Sequence, residues 1–380
     1  MNKFWWQLPG PNSFLNKIIN DIRDGRNVIL CLPEHLPAGM DYGIRNCLDE
    51  SERFSWCTIK IENNDSPYEK ILSFFGLRDA ITIGNQFEYL CNVESFMGRV
   101  IWLQNLNEIN WVFWKDFLIQ YEQACRSVPL IKRTIFLVPL VGKICKKAPE
   151  EDVCLSKRKW YGVVDSFDML IFVNEMLREK EIPHLLKKLT VSVISSISLW
   201  DPKLASYFMN FDNKYIFKPN LVLEEYAKEM KWTADTNRDL SYGWDSGKIN
   251  LIDGERKLHS AVLAINKDYR EISKRIWNAE IGIMFPFVEE RRQEILTILK
   301  DVLYVPFKTR FGEIIDDWKD LEIGHIEKQI SSDNIPVSYE LKRLISVLRE
   351  IRNSLSHLEP LELSTLHYIE SSNFVNLLKT

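Results

Sequence analysis

Asn27-Val-Ile-Leu-Cys-Leu-Pro33 is a continuous apolar run bounded by turn-forming residues. Such a run is typical of a strand that is buried on both faces of a parallel sheet. The stretch before it, Phe14-Leu-Asn-Lys-Ile-Ile-Asn-Asp-Ile-Arg-Asp-Gly25, has helical character and ends at a glycine, which favours a helix stop. The helix and the strand together predict the start of a layered α/β domain.

Similar apolar runs recur along the first 180 residues, and they predict three further strands at Arg99–Leu103, Thr134–Val138 and Asp168–Val173. An amphipathic segment at 111–127 lies between the second and third of the four runs and predicts a helix. This alternation indicates an α/β domain with a parallel sheet over residues 1–182.

The order of a helix, an apolar strand and a turn resembles the P-loop ATPases of the AAA/STAND type. A working P-loop needs GxxxxGK[ST], whose amides, lysine and hydroxyl hold phosphates and magnesium. Here the strand continues into Pro33-Glu-His-Leu-Pro-Ala-Gly39, where two prolines remove amide donors and Glu34 repels phosphate. The strand at Arg99–Leu103 continues as Gln104-Asn105, without the acidic residue that would hold magnesium. We therefore predict a degenerate P-loop-like domain that senses or binds without hydrolysing ATP.

Helical periodicity dominates from about residue 183 onward, and residues 183–255 are interpreted as a helical connector or lid. The stretch at 242–254 is rich in Gly and Asp and is predicted to be a loop or junction. His35 is interpreted as a turn residue rather than a ligand. Several other residues are of types that often fix a junction, and the sequence leaves open whether they form a site: Trp244, Gly247, Asp253, Gly254 and His259.

The segment from Ser338 to Pro360 has the periodicity of one amphipathic helix. Pro360 disfavours helix at the preceding residue, so the helix is predicted to end near His357 or Leu358. A polar strip is formed by three residues at intervals of four, Arg349, Asn353 and His357. Arg352 lies at the edge of the apolar face, where its permanent charge needs a carboxylate, a phosphate or a partner subunit.

The string Arg352-Asn353-Ser354-Leu355-Ser356-His357 has the R-N-x-x-x-H form and resembles the motif of HEPN ribonucleases. The following Leu358-Glu359-Pro360 resembles an extension seen in some abortive-infection members. The resemblance covers residues 256–380 and implies an all-α helical bundle. It also implies an acidic residue on a preceding helix, for which Glu289 is the first candidate and Glu280 the second. In the alternative interpretation, Arg352 pairs with Glu359 and His357 caps the last carbonyls of the helix.

The resemblance implies a metal-independent endoribonuclease that needs no cofactor and leaves 2′,3′-cyclic phosphate and 5′-hydroxyl ends. His357 would transfer protons, Arg352 would hold the phosphate and Asn353 would orient either of them. The substrate would be RNA, with tRNA among the candidates, and the active form a homodimer through this domain or a pair with another defence subunit. Such enzymes suit a toxin or effector role in prokaryotic antiviral defence. The alternative is a non-catalytic subunit that binds RNA, nucleotide or a partner within a larger defence assembly.

Charge, apolar runs and cysteine content bear on which classes of protein the chain can belong to. The formal net charge is −4 and the pI is near 6.0, which argues against a protein that coats nucleic acid non-specifically. No apolar run reaches the roughly 18 residues of a membrane span, so no membrane association is expected. Seven cysteines without a CxxC pair are typical of reduced thiols and indicate a cytoplasmic protein.

Overall fold

The computed structural model describes residues 3–49, 54–77, 86–234, 243–332 and 335–371. The chain divides into two compact units, each assembled from three segments. The first, called the sheet unit here, comprises Met1–Phe172, Trp200–Lys203 and Asn237–His259. The second, called the helical unit, comprises Val173–Leu199, Leu204–Thr236 and Ser260–Thr380.

A five-stranded parallel sheet forms the centre of the sheet unit. Its strands are β1 (Asn27–Leu32), β2 (Ser55–Lys60), β3 (Arg99–Gln104), β4 (Ile135–Val141) and β5 (Leu155–Lys159). Their order is β2-β3-β4-β1-β5, and every pair is parallel. All six residues of β1 are buried. The predicted parallel α/β sheet is therefore confirmed, and so are the strands at three of the four predicted positions.

Helices cover the sheet: α1 (Pro9–Arg23), α2 (Met40–Asp49), α3 (Pro67–Phe74), α4 (Gln86–Asn92) and α5 (Trp111–Cys125). The apolar sides of α3, α4 and α5 form one core with Ile29 and Cys31 of β1 and with the matching side chains of the other strands. Because side chains alternate along a strand, Val28 and Leu30 point to the opposite face. Helix α1 contacts both β1 and α2. The predicted helix at 111–127 is confirmed as α5.

The strand predicted at Asp168–Val173 is wrong, because this stretch lies in helix α6 (Ser166–Met176). The reason is a reciprocal cap at its start. The amide of Asp168 donates to Asp165 Oδ1 at 2.8 Å, and the amide of Asp165 donates to Asp168 Oδ2 at 3.1 Å. Two acidic side chains three residues apart thus satisfy helix-terminal amides that a strand would leave to a neighbour.

Two further strands of the sheet, β2 and β5, and one hairpin lie where the sequence predicted no strand. Both β2 and β5 are edge strands of the sheet, and β5 carries Lys157, Arg158 and Lys159, charges that commonly protect an edge. The stretch at 242–254, interpreted as a loop or junction, contains β6 (Ile249–Ile252) and the turn that joins it to its antiparallel partner β7 (Glu255–Leu258). Asp253 and Gly254 join its strands, both at positive φ, as a two-residue Asp-Gly hairpin turn requires.

The helical unit is built mainly from helices, as expected for the later part of the chain. The helices after α6 are α7 (His184–Ser198), α8 (Pro202–Phe208), α9 (Asn213–Phe217), α10 (Asn220–Glu229), α11 (Ser260–Ile265), α12 (Tyr269–Leu299), α13 (Ile323–Ser332), α14 (Tyr339–Ser356) and α15 (Leu363–Ser371). Helix α7 packs along α12, where Ser192 and Ser196 donate to the carbonyls of Ala279 and Arg275. Helix α14 packs against α12, α13 and α15.

A small antiparallel hairpin interrupts the helices. It consists of β8 (Phe307–Lys308) and β9 (Ile314–Ile315), in a region where only helices were predicted. Short 3-10 helices occur at Trp5–Gln7, Leu130–Lys132, Gly142–Lys147 and Trp318–Asp320. Among the described helices, none combines the length and the apolar character that a membrane span requires.

Candidate functional site

Helix α14 carries the R-N-x-x-x-H string and forms as its periodicity predicts. Ser338 caps its first turn, because its hydroxyl accepts the amide hydrogen of Leu341 at 3.1 Å. Its apolar face is buried through Leu344, Ile345, Leu348, Ile351 and Leu355. The helix ends at Ser356 with His357 as its cap, within one residue of the predicted end.

The chain turns sharply at the end of α14. Leu358 has a left-handed φ of 61°, a conformation that glycine usually supplies at this position. The amide of Glu359 donates to the carbonyl of Ser354 at 3.0 Å, and the amide of Leu358 to that of Leu355 at 3.4 Å. These two bonds form a Schellman motif, which satisfies the last carbonyls of the helix without a side-chain cap. His357 is therefore not needed to cap them, and its ring is exposed.

Helix α12 fixes this turn from behind. Trp277 Nε1 donates to the carbonyl of Leu355 at 2.8 Å. The amide of Leu361 donates to Glu280 Oε2 at 2.9 Å, and Glu280 is fully buried. Burial raises the pKa of the Glu280 carboxyl to about 7, although the Leu361 amide and Lys218 act in the opposite direction. Glu280, the second acidic candidate, thus supports the backbone beyond the motif rather than facing solvent.

Two ion pairs connect α14 to α13 and to the residue that precedes α13. Arg352 pairs with Glu322, immediately before α13, and Arg349 pairs with Glu327 within it. Arg352 has the carboxylate that its position demands, although the partner is Glu322 and not Glu359. Asn353 and His357 are exposed, so the predicted polar strip faces solvent.

Glu289, the first acidic candidate, lies on α12 and is partly exposed. Its carboxylate accepts from Arg292 Nε at 2.9 Å, and Arg292 Nη1 donates to the carbonyls of Lys319 and Leu321. Leu321 directly precedes Glu322, the partner of Arg352. The structure therefore connects Glu289 to the segment beside the motif through one arginine.

His325 is a neighbour of the motif that the sequence analysis missed. Its Nδ1 accepts the amide hydrogen of Glu322 at 3.2 Å. Burial lowers the pKa of His325; among nearby charges, Glu322 raises it and Arg352 lowers it. A histidine two residues into a helix, directly after a glycine, gives no local sign that it will lie beside a motif some thirty residues later.

The arrangement provides the elements of phosphate chemistry at one helix end. An arginine offers a fork of donors that matches a phosphate, and an imidazole can donate or accept a proton. Within the described residues, no group of three or more His, Cys, Asp or Glu side chains is arranged to hold a metal ion.

In the sheet unit, the loop after β1 stands where a P-loop would lie, and other parts of the same unit hold it. The amide of Glu34 donates to the carbonyl of Asp245 at 2.8 Å. Gly247 lies against His35 so closely that an added Cβ would come within 2.6 Å of His35 Cβ. Trp6 Nε1 donates to the carbonyl of Ala38 at 3.1 Å. The loop amide of Glu34 is thus used inside the protein rather than offered to a phosphate.

A buried carboxylate ties this loop to two distant segments. His35 Nε2 donates to Asp201 Oδ2 at 2.8 Å, and His259 Nε2 donates to the same oxygen at 3.2 Å. An ionised carboxylate only accepts, so both histidines carry their proton on Nε2. Burial opposes ionisation of Asp201, but the bonds from His259 and His35 outweigh it and lower its pKa. His35, interpreted from the sequence as a turn residue, and His259, which was left without a role, are therefore structural partners of Asp201.

Replacing Asp201 with asparagine is expected to lower the free energy of unfolding by about 2 kcal/mol. Oδ1 accepts the amide hydrogen of Lys203 at 2.9 Å while Oδ2 accepts from both histidines, so an amide group would set donor against donor on one side. Denaturant unfolding measures the change. Asp212→Asn is the control, because Asp212 is exposed and makes no side-chain cap bond. Equal stability of both variants would contradict this role for Asp201.

A cavity of about 500 Å³ opens beside the carboxyl ends of β1 and β4, with Cys31, Lys157, Lys159 and Trp244 among its lining residues. The chain leaves β1 and β4 toward opposite edges of the sheet, and ligands of open α/β sheets bind at such a point. Lys159 Nζ lies 4.2 Å from the centroid of the Trp244 ring. A hydrogen bond from Cys145 lowers the pKa of the Cys31 thiol, burial opposes this, and the two lysines assist it.

The sequence matches no protein-family model and no curated protein. Among solved structures, the chain is similar to one described as Drosophila ORC bound to DNA, with 10% sequence identity and a TM-score of 0.30. That alignment covers 97% of this chain and 71% of the other. A similarity of this size identifies neither a fold nor a function.

Proposed function

We propose that this chain is a metal-independent endoribonuclease of the HEPN type. The observation that carries the proposal is the end of α14, where Asn353 and His357 are exposed and Arg352 is partly exposed on the same helix. The backbone at this end is held by Trp277 and Glu280 of α12 and by the Schellman turn, contacts that do not use the side chains of Asn353 and His357. A fully structural helix end would not need an exposed histidine beside an arginine.

The reaction follows from the residue types. The ribose 2′-oxygen attacks phosphorus and loses its proton, the bond to the 5′-oxygen breaks, and that oxygen gains a proton. Arg352 binds the phosphate and stabilises its developing charge, Asn353 orients it, and His357 transfers a proton. One histidine cannot take and give a proton in the same step, so a second His357 from another copy of the chain completes the site. Glu289 supports the site through Arg292.

The ion pair between Arg352 and Glu322 supports the proposal that the nuclease is inactive until it is triggered. Phosphate has to replace the Glu322 carboxylate before the guanidinium can act on RNA. A nuclease of this kind suits a cytoplasmic toxin or effector in antiviral defence, held inactive until a signal arrives. The cavity beside β1, with its lysines, supports a sheet unit that binds an anionic ligand without hydrolysing it.

Cleavage of RNA by the purified chain is expected to continue in excess EDTA and to leave 2′,3′-cyclic phosphate and 5′-hydroxyl ends. Total RNA and tRNA serve as substrates, and end-specific labelling of the fragments identifies the chemistry. A substrate with a single deoxynucleotide at the cleaved position is expected to resist, because the nucleophile is absent. Ends with 5′-phosphate, or loss of cleavage in EDTA, would exclude the proposed mechanism. RNA binding without cleavage would favour the alternative, a non-catalytic subunit of a defence assembly.

A further inference from the structure

The hairpin of β8 and β9 presents an exposed aromatic ring between basic residues. Phe311 is 94% exposed, the highest value among the large apolar side chains of the described residues. Lys308 and Arg310 are also exposed. At this exposure the ring contributes nothing to the core of the unit and is available for an interaction.

The tip that carries Phe311 is a defined turn. The amide of Thr309 donates to the carbonyl of Glu313 at 2.8 Å, and the amide of Gly312 donates to that of Thr309 at 3.1 Å. Gly312 adopts a φ of 89°, and the amide of Glu313 donates to the Thr309 hydroxyl at 3.2 Å. The ring is therefore presented from a hydrogen-bonded turn, which reduces the entropy lost on binding.

The base of the hairpin is fixed to α13. The side chain of Gln329, which is fully buried, accepts from the amide of Tyr304 at 3.0 Å and donates to its carbonyl at 3.2 Å. Phe307 is buried, its ring centroid lies 5.2 Å from that of His325, and Lys328 Nζ lies 5.3 Å from the Phe307 centroid.

The same helix leads to the motif. His325 accepts the amide hydrogen of Glu322, and Glu322 pairs with Arg352. Hairpin, α13 and motif are therefore joined through consecutive direct contacts within the helical unit. The hairpin and the R-N-x-x-x-H string are therefore held by the same helix of the helical unit.

We infer that the hairpin of β8 and β9 binds the RNA substrate, with Phe311 stacking on an unpaired base and Lys308 and Arg310 contacting phosphates. The inference rests on the proposed ribonuclease function and names its substrate class, single-stranded RNA. Aromatic side chains stack on bases that are free of a duplex, whereas duplex bases already stack on each other. The negative charge of Glu313 in the same hairpin offsets part of the attraction of Lys308 and Arg310 for phosphate, so stacking contributes more to RNA affinity than charge does.

The test uses the full chain with His357→Ala, so that RNA stays intact, and a fluorescent single-stranded RNA without self-complementarity. Adding Phe311→Ala is expected to weaken binding by about 5- to 150-fold, as loss of one stacked base predicts, and Phe311→Trp is expected to preserve it. Replacing Lys308 and Arg310 together is expected to reduce the slope of log affinity against log salt by about 1.4. Binding of a matched duplex is expected to change little.

Tyr339→Ala is the matched control, because Tyr339 is 73% exposed but begins α14, about 27 Å along the helix from His357. In the cleaving chain, Phe311→Ala is expected to raise KM and leave kcat unchanged. Unchanged single-strand binding after Phe311→Ala would overturn the inference. A dimer that becomes monomeric with Phe311→Ala in sedimentation would also overturn it and assign the hairpin to contacts between copies. Single-strand binding that depends on Phe311 in a chain that never cleaves RNA would support the inference and refute the nuclease.

Discussion

Replacing His357 with alanine is expected to reduce the rate of RNA cleavage by about 10²- to 10⁴-fold, the usual contribution of one positioned acid or base. The fold is expected to remain intact, because the imidazole is exposed and the Schellman turn after α14 is made by backbone groups. Single-turnover rates with RNA in excess EDTA measure the effect. RNA affinity is expected to change far less than the rate, since Arg352 keeps its phosphate contact.

His184→Ala provides the matched control for this experiment. His184 is an exposed histidine in the helical unit, at the first position of α7. It lies outside the motif and its contacts, so cleavage is expected to be unaffected. Equal rates for the wild type and His357→Ala would show that another residue, or a contaminating nuclease, cuts the RNA. Equal losses with both variants would indicate an effect on folding rather than on chemistry.

Replacing Glu280 with glutamine is expected to raise the free energy of unfolding by on the order of 3 kcal/mol at pH 8 to 9. Burial raises the folded-state pKa of this carboxyl to about 7, above its ordinary value of 4.5. The wild type therefore loses stability as the pH rises from about 4.5 through about 7, where the folded protein has to ionise a buried group. Glutamine keeps an oxygen for the Leu361 amide and has no proton to lose.

Thermal unfolding between pH 5 and 9 tests this expectation. The two proteins are expected to have similar stability near pH 5, where the carboxyl is neutral in the folded state, and to diverge above pH 6. Glu290→Gln is the control, since Glu290 is exposed on the same helix. A wild type whose melting temperature does not fall relative to Glu280→Gln above pH 7 would contradict the role assigned to Glu280.

Local patterns predicted the elements that depend on a single segment. The apolar run of β1 was enough to predict a buried strand, because such a strand is apolar on both faces. The 3-4 spacing of apolar residues in α14 was enough to predict an amphipathic helix. Pro360 located the end of α14 to within one residue. Asp165 and Asp168, which cap the start of α6, are also close in sequence, but the apolar run after them predicted a strand.

No local pattern in the sequence predicted the contacts between distant segments. Asp201 meets two histidines that lie 166 and 58 residues away along the chain, and no spacing rule connects them. Glu322 is 30 residues from Arg352, so the sequence left the partner of Arg352 open among a carboxylate, a phosphate and a partner subunit, and named Glu359 only in the alternative interpretation. Strand β5 was not predicted because three of its five residues are charged, which is compatible with an edge strand but gives no apolar run.

The interrupted chain path of the helical unit limits how the unit can be divided or transferred. Helix α7 and the segment at 204–236 belong to the same unit as α12 and α14, yet residues of the sheet unit lie between them in the chain. A truncation that begins at residue 256 would delete α7, so the Ala279 and Arg275 carbonyls of α12 would lose the hydroxyl donors Ser192 and Ser196. The motif therefore cannot be moved between proteins as a terminal cassette, and recombination would have to exchange nearly the whole chain.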